Sequence, residues 1–112
     1  MKNEAENMTA EREGKILEDA INTWGARAQT VKAMEELAEL IQALSRRLLS
    51  MCLNAPGGNA ALENVREEMA DVSIMLNQLE LIFGDTTEEE IKKLLRLEAR
   101  IAEDKAEKVP GE

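Results

Sequence analysis

VKAMEELAELIQAL, residues 31–44, sets Glu35, Glu36 and Glu39 into a run of alanine, leucine and isoleucine. Val31, Met34, Leu37, Ala38, Ile41, Leu44 and Leu48 recur every three to four residues, which predicts an amphipathic helix from about Ala26 to Ser50. The same question arises 30-odd residues on, in VREEMADVSIML, residues 65–76, where Glu68 and Asp71 interrupt a second apolar stripe. Leu62, Val65, Met69, Val72, Leu76, Leu79 and Phe83 predict a helix from about Ala60 to Phe83. Between the two lies Asn54-Ala-Pro-Gly-Gly-Asn59, the strongest breaker in the chain and a predicted loop.

Outward from this pair, Ile16, Leu17, Ala20 and Ile21 predict an earlier helix, capped at its start by Thr9 and ended at Trp24-Gly25. Gly84 reads as a C-cap, and Thr87-Glu-Glu-Glu90 as a capping box opening a last helix to about Lys105. Residues 1–8 and 106–112 are expected to be disordered, leaving one helical domain over 9–105. The expectation is an all-α bundle built on an antiparallel helix hairpin. Ile74 and Leu81 lie away from the main stripe of their helix, so two of its faces call for burial. A partner subunit is expected to cover one of them, giving a homodimer or a homotetramer. Met34, Met69 and Met75 read as core.

Composition narrows the chemistry. The net charge of −9 argues against a sequence-independent grip on nucleic acid or anionic lipid, because both need a basic patch. No apolar run reaches the roughly 20 residues of a membrane span, and MKNEAENM has no signal-peptide pattern, so a soluble cytoplasmic protein is expected. Cys52 is the single cysteine and histidine is absent, which excludes thiolate cages, His-based catalysis and Glu-x-x-His di-iron sites. Carboxylates, amines, guanidinium groups and water remain.

Glu36 and Glu39 stand three apart and so share a helix face; Glu68 and Asp71 repeat the spacing. Either pair alone is what many solvated helices carry. Two features favour a site. At 100° per residue, Glu68 falls in the sector of Val72, Met75 and Leu79, and Asp71 beside Met75 and Ile82, where an uncompensated carboxylate costs several kcal/mol. In an antiparallel hairpin, moreover, the two acidic pairs meet at one height if its centre lies near residue 53 or 54, within roughly 3 Å of the predicted loop. Four such carboxylates together call for a hard cation, and an all-oxygen set suits Mg²⁺ or Mn²⁺.

WGARAQTVKAMEELAEL followed by ENVREEMADVSIMLNQL resembles the MazG-like all-α nucleoside triphosphate pyrophosphohydrolases over about residues 20–102. Their Glu-x-x-Glu and Glu-x-x-Asp signature is matched by Glu36-Leu-Ala-Glu39 and Glu68-Met-Ala-Asp71, with Glu35 as the doubled glutamate common in that family. The resemblance implies a four-to-five-helix bundle, tight dimers or tetramers, and Mg²⁺-dependent cleavage of a nucleotide between its α and β phosphates, releasing pyrophosphate. It also extends to all-α dUTPases and dCTPases, so base preference stays open. Glu35, Glu39 or Glu67 could take the proton from an attacking water, unranked.

Supporting residues carry two readings each. Gln29, seven residues before Glu36, could meet a base edge, as a glutamine near this place does in similar enzymes. Lys32 could contact phosphate or only offset Glu36. Trp24 could stack on a base or anchor packing. Lys93, Arg96 and Arg100 could contact triphosphate, since hairpin arithmetic about Gly84 and Asp85 sets Arg100 level with Met69, or form an exposed stripe paired with glutamates. Asn77 could touch ligand or be a surface amide. The rival to an enzyme is a non-catalytic helical dimer of regulatory or scaffold role with an acidic, solvated face.

Overall fold

A computed structural model of the chain describes residues 4–53 and 57–108. Four α-helices follow a short 3-10 turn at Glu4–Asn7: α1 (Ala10–Trp24), α2 (Ala26–Leu53), α3 (Gly58–Phe83) and α4 (Thr87–Glu107). The described residues contain no strand, so the fold is all-α. No helix among them is long and apolar enough to cross a membrane.

The punctuation follows from local chemistry. The Thr9 hydroxyl accepts from the Arg12 N–H at 3.0 Å and caps α1. Gly25 ends α1 by donating its N–H to the Ile21 carbonyl at 2.7 Å, and its own carbonyl accepts from the Gln29 N–H at 3.1 Å, so one residue closes one helix and opens the next. It does so at φ 92°, ψ 150°, a region almost confined to glycine. Gly84 repeats the device at the end of α3, with φ 112°, ψ 163° and its N–H on the Glu80 carbonyl at 2.8 Å.

Several boundaries differ from expectation. Residues 4–7 form a 3-10 turn, with Glu4 3.4 Å from Arg12, rather than a disordered start. α2 continues to Leu53, α3 begins at Gly58 inside the expected loop, and α4 runs to Glu107. The remaining loop positions 54–56, and the expected disorder of 1–3 and 109–112, lie outside the described residues. The last helix is preceded by Thr86, not Thr87: the Thr86 hydroxyl bonds Glu80 at 2.9 Å and Glu90 at 2.8 Å, and Thr87 is already helical, its hydroxyl on Asp85 at 2.8 Å.

α2 and α3 form the principal pair, and α1 lies against both. The pair is antiparallel: Gln29 Nε2 donates to Gln78 Oε1 at 2.7 Å at one end, and Arg47 Nη1 donates to the Gly58 carbonyl at 2.8 Å at the other. Both links centre the hairpin within a residue of position 53, the register the acidic pairs require.

The buried seam is a surprise in composition. α2 turns Gln29, Ala33, Glu36 and Ala43 inward, and α3 answers with Val65, Val72, Met75 and Gln78. The small alanines admit close approach of the two backbones. The expected apolar stripe of α2 faces outward instead, with Met34 65%, Ile41 69% and Leu48 62% exposed. Met75 is core, whereas Met34 and Met69 are exposed. α4 explains part of this. It packs on none of the other three helices, so Ile91, Leu94, Leu95, Leu97 and Ile101 are also open. The expected α3–α4 hairpin is therefore not formed, because the three-residue link through Gly84 directs α4 away from α3. The radius of gyration, 19.1 Å, exceeds the roughly 13 Å of a compact chain of this length.

A Cβ added at Gly25 or Gly84 would meet nothing within 4 Å, so alanine there tests backbone strain alone. Each substitution is expected to cost about 1–3 kcal/mol in urea unfolding. Unchanged stability in both would show that these two corners are not held in the conformation described.

Candidate metal centre

Glu36 lies on the inward face of α2, two turns after Gln29, and both are 6% exposed. Helical periodicity dictates this, since positions seven apart return to the same side. Lys32, one turn before Glu36, places its Nζ 2.9 Å from Glu36 Oε1 and 3.9 Å from Glu35 Oε2. Across the seam α3 contributes Glu68, half-buried. One carboxylate oxygen each from Glu36, Glu39 and Glu68 fall within 4.8 Å of one another.

The cluster is short of partners. Glu36 Oε2 and Glu68 Oε2 are both buried and accept no hydrogen bond. Leaving such acceptors bare is costly, more so when they are charged. The Lys32 ammonium bonded to Glu36 holds that carboxyl below its usual range, against the cost of its burial. Desolvation pushes Glu68 the other way, above its usual range, helped by the charges of Glu39, Asp71 and Glu36. Lys32 is raised by its hydrogen bond to Glu36 and by that residue's charge. Two neighbouring carboxyls driven apart in this manner share too few cations. Three convergent oxygen donors with two bare buried lone-pair sets are groups that could hold a hard metal ion, by number and chemistry.

The sequence-derived candidates divide into three sets. Glu36, Glu39 and Glu68 converge. Asp71 is exposed and lies outside that group of three, though its charge acts on Glu68. Trp24, Gln29, Lys32 and Glu35 line a single groove of about 490 Å³ together with Met75, next to the carboxylates. Trp24 is 65% exposed there. Lys93, Arg96 and Arg100 are exposed on α4 and do not approach the cluster within the chain, since the hairpin that would level Arg100 with Met69 is absent. Asn77 is tied to α1, its Nδ2 donating to Glu13 Oε1 at 3.5 Å. Cys52 is exposed and free.

Gln78 was missed by sequence reasoning. It is 4% exposed and its Oε1 accepts from the Gln29 amide, which ties down a side chain that lines the groove. A signal existed: Gln78 follows Asp71 by the same seven residues by which Gln29 precedes Glu36, a mirror position across the hairpin. A larger depression of about 880 Å³ runs along α1 past Thr9, Lys15 and Leu81, but none of its lining residues is buried.

No protein-family model matches this chain, and no curated protein or solved structure matches it either.

The two shifted carboxyls give metal-free stability a defined pH dependence. Glu68 is raised from 4.5, so its contribution is whole below that pH and is lost as pH climbs through the raised value. Glu36 is lowered from 4.5, so its contribution is present above that pH and is lost as pH falls through the lowered value. Glu68→Gln in chelator at pH 7 is therefore expected to raise the melting temperature and to flatten the loss on the alkaline side of 4.5. A lower melting temperature for Glu68→Gln in chelator would contradict the picture of a strained, under-partnered carboxylate.

Proposed function

We propose that this chain is a Mg²⁺-dependent nucleoside triphosphate pyrophosphohydrolase of the MazG-like all-α kind, converting a ribo- or deoxyribonucleotide to its monophosphate and pyrophosphate. The observation that carries the reading is the convergence of Glu36, Glu39 and Glu68 within 4.8 Å, with two of their oxygens buried and unpartnered. Supporting it is the adjoining groove with an exposed indole, a glutamine and a lysine, which offers a base face, an amide and a cation in one place.

In this reading Glu36, Glu39 and Glu68 hold the metal, and Asp71 completes the set from the exposed side. A bound Mg²⁺ or Mn²⁺ would supply neutralisation of phosphate charge and a water of lowered pKa. Glu35 lines the groove and is joined to Lys32, so its carboxylate is in reach of a water at the groove mouth; it and Glu39 are the acceptors for the proton released on attack. Trp24 stacks on the base. Gln29 spends one N–H of its amide on Gln78, which leaves its second N–H and its carbonyl oxygen for the base edge. Water is the nucleophile and no residue is acylated or phosphorylated.

The same reading makes the protein a homo-oligomer. The accessible surface is 9371 Å², against about 6,200 Å² for a compact monomer of this mass. The excess per chain is large enough for an extensive subunit interface, and its apolar part is the outward stripe of α2 together with α4. A second copy covering that surface is also the route by which Lys93, Arg96 and Arg100 reach a triphosphate.

Three experiments test this. Pyrophosphate release is measured over a panel of nucleotides with Mg²⁺; turnover of at least one is expected, reduced about a hundredfold or more by Glu36→Gln and Glu68→Gln with helicity kept. Mg²⁺ at a hundredfold excess over its Kd is expected to stabilise the fold by about 2.7 kcal/mol. A melting curve indifferent to millimolar Mg²⁺ and Mn²⁺ favours the acidic scaffold instead. Sedimentation is expected to give a dimer or tetramer that Leu94→Glu with Ile101→Glu dissociates; a wild-type monomer would overturn the oligomeric assignment.

A further inference from the structure

We propose that Lys32 is an internal counter-cation for the carboxylate cluster: its ammonium holds Glu36 until a divalent cation takes over that carboxylate, and the freed ammonium then binds phosphate in the groove, coupling metal loading to anion binding. This rests on the metal reading above and concerns a residue of the chain that the reading leaves ambiguous.

Position supplies the first argument. Lys32 Nζ is 2.9 Å from Oε1 of Glu36, the most buried carboxylate in the cluster, whose other oxygen, Oε2, is bare and open to a second cation. An ammonium and a divalent cation crowded at one carboxylate repel at short range, with water partly excluded. That repulsion favours release of the more weakly held of the two, and Lys32 is free to go. Its side chain is 51% exposed, while that of Glu36 is 8% exposed, so the head group can swing out without disturbing the seam. A compact charge on a flexible four-carbon stem suits this exchange better than the planar fork of arginine would.

Destination supplies the second. Lys32 is also a wall of the groove shared with Trp24 and Gln29, so an ammonium released from Glu36 stays beside the place proposed for the nucleotide. Stoichiometry supplies the third. Among the described residues the three carboxylates have one ammonium bonded to them, Lys32 on Glu36, and Glu36 Oε2 and Glu68 Oε2 stay bare. Lys32 is therefore a placeholder that leaves the cluster able to take a stronger cation, and metal binding converts it from a carboxylate partner into a phosphate partner. It acts as a positioning residue in the first state and a substrate contact in the second.

The test uses the full chain, with Mn²⁺ alone as the metal probe and inorganic phosphate as the anion probe, followed by titration calorimetry. Circular dichroism checks that wild type, Lys32→Met and Lys32→Arg are equally helical. Lys32→Met keeps the stem and removes the charge; it is expected to bind Mn²⁺ about tenfold more tightly than wild type, while Lys32→Arg stays close to wild type. Phosphate is expected to tighten Mn²⁺ binding to wild type and to leave Lys32→Met unchanged. Equal or weaker Mn²⁺ binding by Lys32→Met, or an undiminished phosphate effect in it, would overturn the exchange. Absence of Mn²⁺ binding from wild type and both variants would overturn the metal reading itself, an outcome separate from measurable but equal affinities.

Discussion

The rest of the molecule depends on a carboxylate buried in a helix seam. Glu36 occupies an inward position of α2, and one of its oxygens converges with one from Glu68 on α3. Burying such a group is tolerable only with compensation, and Lys32 compensates one of its two oxygens. Ala33 and Ala43 bring the backbones close enough for the two acidic elements to converge, while Gln29 with Gln78 and Arg47 with Gly58 fix the register that sets their height. Stability is sacrificed at this one level of the hairpin, and concentrated negative charge is the result.

That arrangement also explains why so little apolar surface is covered within the chain. The seam spends inward positions on two glutamines, a glutamate and two alanines, so the large residues of α2 are displaced to its outer face. α4, which a compact bundle would fold back to cover them, is sent away by the Gly84 corner. An outward leucine and isoleucine surface of this extent and a polar, charged interior are two aspects of one design.

Much of the local structure was legible beforehand. Thr9, Gly25 and Gly84 each act through their own backbone and immediate neighbours, so the ends of α1 and α3 could be placed from sequence. The hairpin register was legible too, because it follows from helix rise and loop position. Which face of α2 turns inward was not. Periodicity identifies the apolar stripe, and the inference that this stripe meets α3 assumes a chain that buries its hydrophobic residues against itself. The Thr86–Thr87 assignment failed by one residue for a smaller reason: either threonine precedes a glutamate by three, and only the Glu80 and Glu90 contacts of Thr86 separate them.

The sequence by itself determined an all-helical chain without histidine chemistry, with two acidic pairs at matched heights on consecutive helices. These are consequences of composition and of spacing along a helix, which neighbours do not alter. Only the tertiary structure decided that Glu36 is buried with one oxygen on Lys32, that Glu39 and Glu68 converge with it while Asp71 remains exposed, that Gln78 holds Gln29, and that α4 leaves its basic residues apart from the cluster. Each of these depends on the rotation of one helix about its own axis and on the direction of a three-residue link, and neither is encoded in a local pattern.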